Sequence, residues 1–454
     1  MNERDSLSSR LGFILLSAGC AIGLGNVWRF PFITGENGGA AFVLLYLVFL
    51  VLIGLPVMTM EFAIGRGGRN NIVGSYANLS NKNKKWTSIG VVSYLGNYLL
   101  LMFYTTITGW LFYYTLSSAR GVFQTGINIP EYFSLLMANP MLQIAFMAVV
   151  LAITALIILG GVAKSVEKIT KVMMCILFVL MVSLAIYSCT LDGAEKGLSF
   201  YLKPDFSKMV DKGIFSVIYD AMGQAFFTLS LGIGSMTIFG SYIDKKRTLP
   251  GESVRIILLD TAVALLSGLI IFPACFAYNT EPSAGPALLF LSLPEVFSKM
   301  AGGRFWVTIF FLAMFFAALS TLIAVFENIV SYWIDRKGMT RRKAVILNFC
   351  LLFVLSLPCI LGYNVLSSIT PLGSGSTILD GEDFLVSNLI LPLGSLMMVI
   401  FCTSKHGWGW NNFLKEADEG EGLKFPKWLR VYSSYILPVI ILLVFFIGLI
   451  QKFL

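Results

Sequence analysis

An all-α, polytopic membrane protein of about eleven transmembrane helices is the fold that this sequence predicts. Three observations predict it. Hydrophobic residues make up 57% of the 454 residues and charged ones 13%, with a mean hydropathy of +0.80. Several apolar runs reach about 20 residues, the length that crosses roughly 30 Å of hydrocarbon, whereas the strands of a membrane barrel alternate and never give such runs. Finally, two runs are interrupted by glycine clusters. These are Ala18-Gly19-Cys20-Ala21-Ile22-Gly23-Leu24-Gly25-Asn26 and Leu229-Ser230-Leu231-Gly232-Ile233-Gly234-Ser235. A break inside hydrocarbon leaves backbone N–H and C=O groups without water, which is tolerated only where the backbone lines a buried cavity. Interrupted helices in matching positions of two halves point to a binding site. Glycine faces that merely pack helices are the other reading of the same residues.

The spans are expected near 11–33, 40–65, 87–119, 142–161, 166–190, 214–241, 254–278, 304–334, 343–362, 381–403 and 431–452, numbered here as segments 1 to 11. Residues 1–10 are polar and form an N-terminal tail. Segment 1 carries the first break and then Arg29; segment 2 ends near Glu61; segment 3 holds Tyr104 at its middle. Segments 4 and 5 complete a first group of five helices over residues 11–190. Segment 6 contains the second break, segment 7 places Asp260 early, and segment 8 carries Ala317-Ala318-Leu319-Ser320-Thr321 followed by Glu327. Segment 9 and segment 10, which Asp383 opens, complete a second group over 214–403 that is expected to be the inverted repeat of the first. A loop over 404–430 then leads to segment 11, an appendage over 431–454. The stretch from Pro286 to Lys299 is too short and too punctuated by proline to span, and is expected as an outer helical lid or a plain surface helix.

Alternating sides from a cytoplasmic N-terminus leaves about 24 Lys/Arg inside and about 8 outside, with Arg29 in the membrane. That bias places the N-terminus and the 404–430 loop in the cytoplasm, the C-terminus outside, and the chain in the cell membrane. The net charge of +8 is scattered over short loops, so it reads as topology rather than as a nucleic-acid surface. No feature calls for an obligatory protein partner.

Several chemistries are disfavoured. The seven cysteines nearly all fall in apolar segments without paired spacing and read as small hydrophobes. The single histidine, His406, lies in a polar loop, which removes most His-dependent chemistry. There is no phosphate-binding glycine loop, so an ATP-driven pump is unsupported. An intramembrane enzyme lacks a second aspartate at dyad spacing from Asp260. A channel lacks a ring-forming repeat.

Each ionisable group inside a membrane costs about 2.5–3.5 kcal/mol or more and needs a reason. For Glu61 and Glu327 the favoured reason is capping of loose backbone N–H groups at the breaks. Asp260 has no basic residue within a helical turn on its own segment, which favours a cation or charge-balance role. Arg29 and Asp383 are placed to pair across the outer mouth as a gate. Sodium takes oxygen donors. The Gly19–Ile22 carbonyls freed by the break, the Ala317 carbonyl, and the Ser320 and Thr321 hydroxyls are candidate donors. Ser and Thr in membrane helices also bond back to their own turn, an alternative that weakens when Asn26, Thr228, Ser320 and Thr321 all lie beside breaks or at helix middles. Half-helix N-termini at a break suit a carboxylate, and Tyr104 either donates its hydroxyl to the same group or simply packs.

Gly23-Leu24-Gly25-Asn26 running into Trp28-Arg29-Phe30-Pro31, then Glu36-Asn37-Gly38-Gly39, and Gly223-Gln224-Ala225-Phe226-Phe227-Thr228-Leu229-Ser230 resemble the motifs of the neurotransmitter:sodium symporter family. The resemblance covers segments 1 to 10, and the eleven-segment layout is similar to prokaryotic transporters of hydrophobic and aromatic amino acids. It implies a sodium-coupled symporter working by alternating access, with two sodium ions per amino acid. The first sodium site would use Ala21, Asn26, Thr228 and Asp260, and the second Gly19, Ile22, Ala317, Ser320 and Thr321. Substrate would meet Ala21, Gly23, Leu24, Gly25, Leu100, Tyr104, Phe227, Thr228, Ser230, Ile233, Ser320 and Val325. Arg29 and Asp383, with Tyr104 and Phe227 beneath, would form the outer gate; Arg4 and Asp335, steadied by Tyr242, the inner one. A proton-coupled carrier of the same fold is the alternative.

Three departures from the family pattern shape the expectation. Ala264 stands where chloride-dependent members carry a serine, and Asp260 lies one turn earlier on the same face, so Asp260 is expected to supply the charge that chloride supplies elsewhere. Gly23 stands where amine transporters carry an aspartate, so the substrate should bring its own carboxylate. Cys175 stands where segment 5 commonly has a proline, which weakens the expectation that segment 5 unwinds.

Overall fold

The computed structural model describes residues 7, 9–280 and 288–453. Among them, nine helices are long and apolar enough to cross a membrane, and a tenth span forms from Arg10–Ala21 and Gly25–Glu36, bent by 55° at the first break. The remaining expected span, segment 6, is interrupted into Ile214–Thr228 and Ser235–Gly240, whose halves are short. The others are Ala40–Gly68, Lys84–Ala119, Pro140–Leu159, Val162–Cys189, Leu249–Ala277, Gly303–Lys337, Arg341–Leu361, Ile378–Thr403 and Leu429–Ile450. The chain is thus an all-α polytopic membrane protein.

Local chemistry sets the helix starts. Ser9 accepts the Gly12 N–H at 3.0 Å and opens segment 1. Asn83 caps Lys85 and Asn139 caps Leu142, each at 3.0 Å, with Pro140 in the first turn of segment 4. Thr377 and Asp380 form a reciprocal capping box that starts segment 10 three residues before the expected position. Segment 8 is the axis of the bundle: 83% of its most apolar window is buried, against 28% for segment 11, which lies at the periphery.

Polar pairs pin the ends. Glu61 behaves as expected, since its two carboxylate oxygens accept the Gly232 and Met236 N–H groups across the second break, both at 3.0 Å. Glu327 does not cap a break. It forms a two-pronged pair with Arg341 at 2.7 and 3.0 Å, because the start of segment 9 brings a guanidinium to the lower half of segment 8. Segment 5 opens with a π-helical turn over Val162–Val166 and continues unbroken past Cys175 to Cys189. Of the expected lid, Pro286 lies outside the described residues, while Leu288–Lys299 is helical and buries Phe290 and Phe297.

Candidate functional site

The first break gathers oxygens around one hydroxyl. The helix stops at Ala21, and the carbonyl oxygens of Gly19, Cys20 and Ile22 turn toward Thr321 Oγ1, at 3.4, 3.2 and 3.3 Å. The Ala317 carbonyl lies at 3.5 Å from the same oxygen. A hydroxyl has one hydrogen to donate, so four acceptors around it form an oxygen cluster short of protons, which suits a hard cation. Ser320 Oγ donates to the Ala317 oxygen at 2.9 Å and stands beside this cluster. The expected set Gly19, Ile22, Ala317, Ser320 and Thr321 is therefore brought together, and Cys20, within the Gly19–Ile22 stretch of freed carbonyls, joins it through its own carbonyl.

A second cluster centres on Asp260, fully buried. Asn26 Nδ2 donates to its Oδ1 at 2.8 Å, and Thr228 Oγ1 donates to its Oδ2 at 3.1 Å. Asn26 Oδ1 accepts the Gly23 N–H at 3.1 Å and keeps a second lone pair. Ser267 bonds the Asn26 carbonyl at 2.7 Å, and Gln224 Nε2 bonds the Gly25 carbonyl at 2.8 Å. Tyr46 Oη and Gln224 Oε1 are buried without partners. Among the described residues, no three His, Cys, Asp or Glu side chains converge as metal ligands.

Between the breaks lies a narrow cavity of about 20 Å³ lined by Ala21, Gly23, Leu24, Gly25, Leu100, Tyr104, Phe227, Ser230, Ile233, Thr321, Val386 and Leu391. Tyr104 Oη accepts the Leu24 N–H at 3.1 Å and retains its own proton to donate. Ser230 adopts a left-handed φ of +50°, a strained conformation of the kind that clusters at functional sites. Three expected contact residues do not line this cavity. Thr228 is turned to Asp260, Ser320 to its own helix, and Val325 is buried one helical turn beyond Thr321. Thr321, Val386 and Leu391 take their place. The last two are apolar residues in an apolar helix, and nothing in their pattern marks them.

Above Tyr104 and Phe227 opens a larger cavity of about 450 Å³, reached by Arg29, Glu36, Asp220, Asp380 and Asp383. The expected ion pair between Arg29 and Asp383 is not formed. Arg29 instead lies over the Phe227 ring, 4.3 Å from its centroid, and Asp383 accepts the Ser387 hydroxyl at 2.8 Å. Each has another partner at the wall of the cavity that both line. At the opposite end, Tyr242 Oη donates to Glu327 at 3.3 Å, and Asp335 accepts both the backbone and side-chain N–H of Asn71 at 3.3 and 3.2 Å. Arg4 lies outside the described residues.

The sequence profile of the sodium:neurotransmitter symporter family matches residues 4–125 and 137–453. An uncharacterised sodium-dependent transporter of Bacillus subtilis, YhdH, is 35% identical over 96% of this chain and 96% of its own. The sodium-dependent serotonin transporter of Drosophila melanogaster is 27% identical over 97% of this chain and 76% of its own. The solved structure of MhsT in complex with L-phenylalanine superposes with a TM-score of 0.87 at 39% identity, over 98% of this chain and 99% of that one.

Proposed function

Given that the chain belongs to the sodium:neurotransmitter symporter family, and so is a sodium-dependent membrane transporter, we propose that it imports a hydrophobic or aromatic L-amino acid by alternating access with two sodium ions. The observation that carries this is the convergence of four backbone carbonyls on the Thr321 hydroxyl, next to an apolar cavity between two broken helices. Gly19, Cys20, Ile22, Ala317, Ser320 and Thr321 hold one sodium; Ala21, Asn26, Thr228 and Asp260 hold the other, with the substrate carboxylate completing it. The amino group and carboxylate sit at the break among Ala21, Gly23, Leu24, Gly25 and Tyr104, and Phe227 roofs the cavity. Asp260 balances charge so that chloride is not needed. The Arg29 mouth is extracellular in this reading, the Asp335 end and the N-terminus cytoplasmic, and the C-terminus extracellular in the cell membrane. The two five-helix groups, residues 11–190 and 214–403, rock as inverted repeats. MhsT with its bound L-phenylalanine supports an amino acid as the cargo.

The test is uptake of labelled leucine, phenylalanine and tryptophan into proteoliposomes, with external sodium against potassium at fixed pH. Sodium-dependent accumulation abolished by a sodium ionophore is expected. The buried Asp260 carboxylate favours one second reading, proton coupling, and equal accumulation from a proton gradient in potassium would establish it instead. Absence of uptake for all three amino acids would refute the cargo assignment.

A further inference from the structure

Segment 10 supplies an unforeseen wall to the cavity, and its backbone departs from a regular α-helix as the two breaks also do. Val386 lies within a π-helical stretch, Leu385–Ile390, and Leu391 begins the α-helix that follows. Pro392 comes next and offers no N–H to the turn behind it, so this part of the helix lacks a full hydrogen-bond ladder. π-Helical turns of this kind recur at functional sites. Three other wall residues are tied to the bundle. Asn97 holds the Ile233 carbonyl at 2.8 Å, Leu100 stands on an uninterrupted 36-residue helix, and Tyr104 is bonded to the first break. A cavity of about 20 Å³ has room for roughly one water molecule. An amino-acid side chain therefore needs a wall to yield, and outside the two breaks the segment 10 wall is the one with an irregular backbone.

Resting on the amino-acid reading above, we infer that Val386 and Leu391 contact the far end of the substrate side chain and set its upper size. They are specificity-determining residues contributed by a helix that carries none of the expected contacts. A wall that gives way is felt at the second break too. Gly232 and Gly394 approach so closely that a Cβ on Gly394 would run into the Gly232 carbonyl oxygen, and Gly232 itself holds φ at +98°. Displacing segment 10 thus presses directly on the backbone of segment 6, so substrate size and the geometry of the break move together.

The experiment is competition against labelled leucine by leucine, phenylalanine and tryptophan on purified, sodium-loaded protein. Wild type is compared with Val386→Ala, Leu391→Ala and Leu391→Phe, and thermal unfolding in sodium confirms the fold of each. Trimming either wall residue is expected to raise the tryptophan-to-leucine affinity ratio by about tenfold or more, the scale on which hydrophobic pockets discriminate by volume. Leu391→Phe should lower the ratio by a similar factor, and its opposite volume change keeps the test decisive if an alanine variant does not fold. Unchanged ratios, or equal weakening of all three ligands, would overturn the inference while leaving the transport reading intact. A wild type that binds none of the three in sodium would overturn the amino-acid reading, and this inference with it.

Discussion

Asp260 is bonded to two neutral groups, Asn26 and Thr228, rather than to a cationic side chain. A carboxylate in that position costs free energy unless a cation sits beside it. In the proposed reading, sodium binding and charge balance converge on this one residue. Asp260→Asn keeps the shape and removes the charge. Its sodium half-saturation should rise at least about tenfold, the price of a lost charge-assisted contact, while uptake by the wild type should be indifferent to replacing chloride with gluconate. A normal sodium response in Asp260→Asn, or collapse of wild-type uptake in gluconate, would contradict the assignment. Thr321 tests the other cluster. Thr321→Ser keeps the oxygen that four carbonyls surround and should transport nearly as wild type. Thr321→Ala removes a donor and should also raise the sodium half-saturation by about tenfold, roughly 1.4 kcal/mol. Equal behaviour of the two variants would show that the hydroxyl is not a ligand.

The interrupted helices are held open by a partner elsewhere in the sequence. Glu61 on segment 2 receives N–H groups from Gly232 and Met236, which the second break frees from their own helix. Each unsatisfied buried donor costs about 1–3 kcal/mol. Glu61→Ala strands both, whereas Glu61→Gln retains one acceptor oxygen, so thermal unfolding in detergent should rank wild type above Gln above Ala. A Glu61→Ala protein that melts with the wild type would sink this account. The glycine runs made both breaks legible, because glycine density in hydrocarbon is a strong local signal, and so was the capping acid at Glu61. Glu327 was misread for a physical reason: its partner Arg341 belongs to the next helix, and no local pattern announces an interhelical pair. The same limit hid Val386 and Leu391. Apolar residues in an apolar span look alike whether they face lipid, core or cavity, and the π-helical offset of Leu385–Ile390 changes which of them turn inward. Arg29 and Asp383 stand out in the sequence by their charge, but charge alone does not give their partners, which in the structure are the Phe227 ring and the Ser387 hydroxyl.

Across the whole molecule, the Asp335 end is tied together by a buried guanidinium. Arg66, with no side-chain exposure, pairs with Glu416 at 2.7 Å, also bonds the Glu416 carbonyl, and bonds the Arg247 carbonyl at 2.7 Å. Three stretches remote in sequence, around residues 66, 247 and 416, share this one side chain. Removing one partner of a buried pair costs about 3–5 kcal/mol, so Arg66→Ala should lower the unfolding midpoint well beyond the effect of Lys245→Ala, which breaks an exposed pair with Glu419 and a longer contact, 3.4 Å, to Glu416. The Lys245 hydrogen bond holds the Glu419 carboxyl below its ordinary range. A carboxyl depressed in the fold lends stability above its unfolded value and loses it as pH falls through the folded one. This exposed pair should therefore make only a slight acid-side contribution, and equal midpoints for both variants would remove Arg66 from its role. Coupling stoichiometry is likewise a property of the whole. One sodium ion descending about 100 mV releases roughly 2.3 kcal/mol, and a gradient of about tenfold adds about 1.4. A zwitterionic amino acid carries no net charge, so the potential acts on sodium alone. One ion then limits accumulation to about 500-fold and two ions to roughly 10⁵-fold. With two oxygen clusters on either side of one cavity, steady-state accumulation in proteoliposomes should exceed the single-ion limit and steepen with the square of the sodium ratio. A plateau that follows the first power would mean that one of the two clusters holds its ion without transporting it.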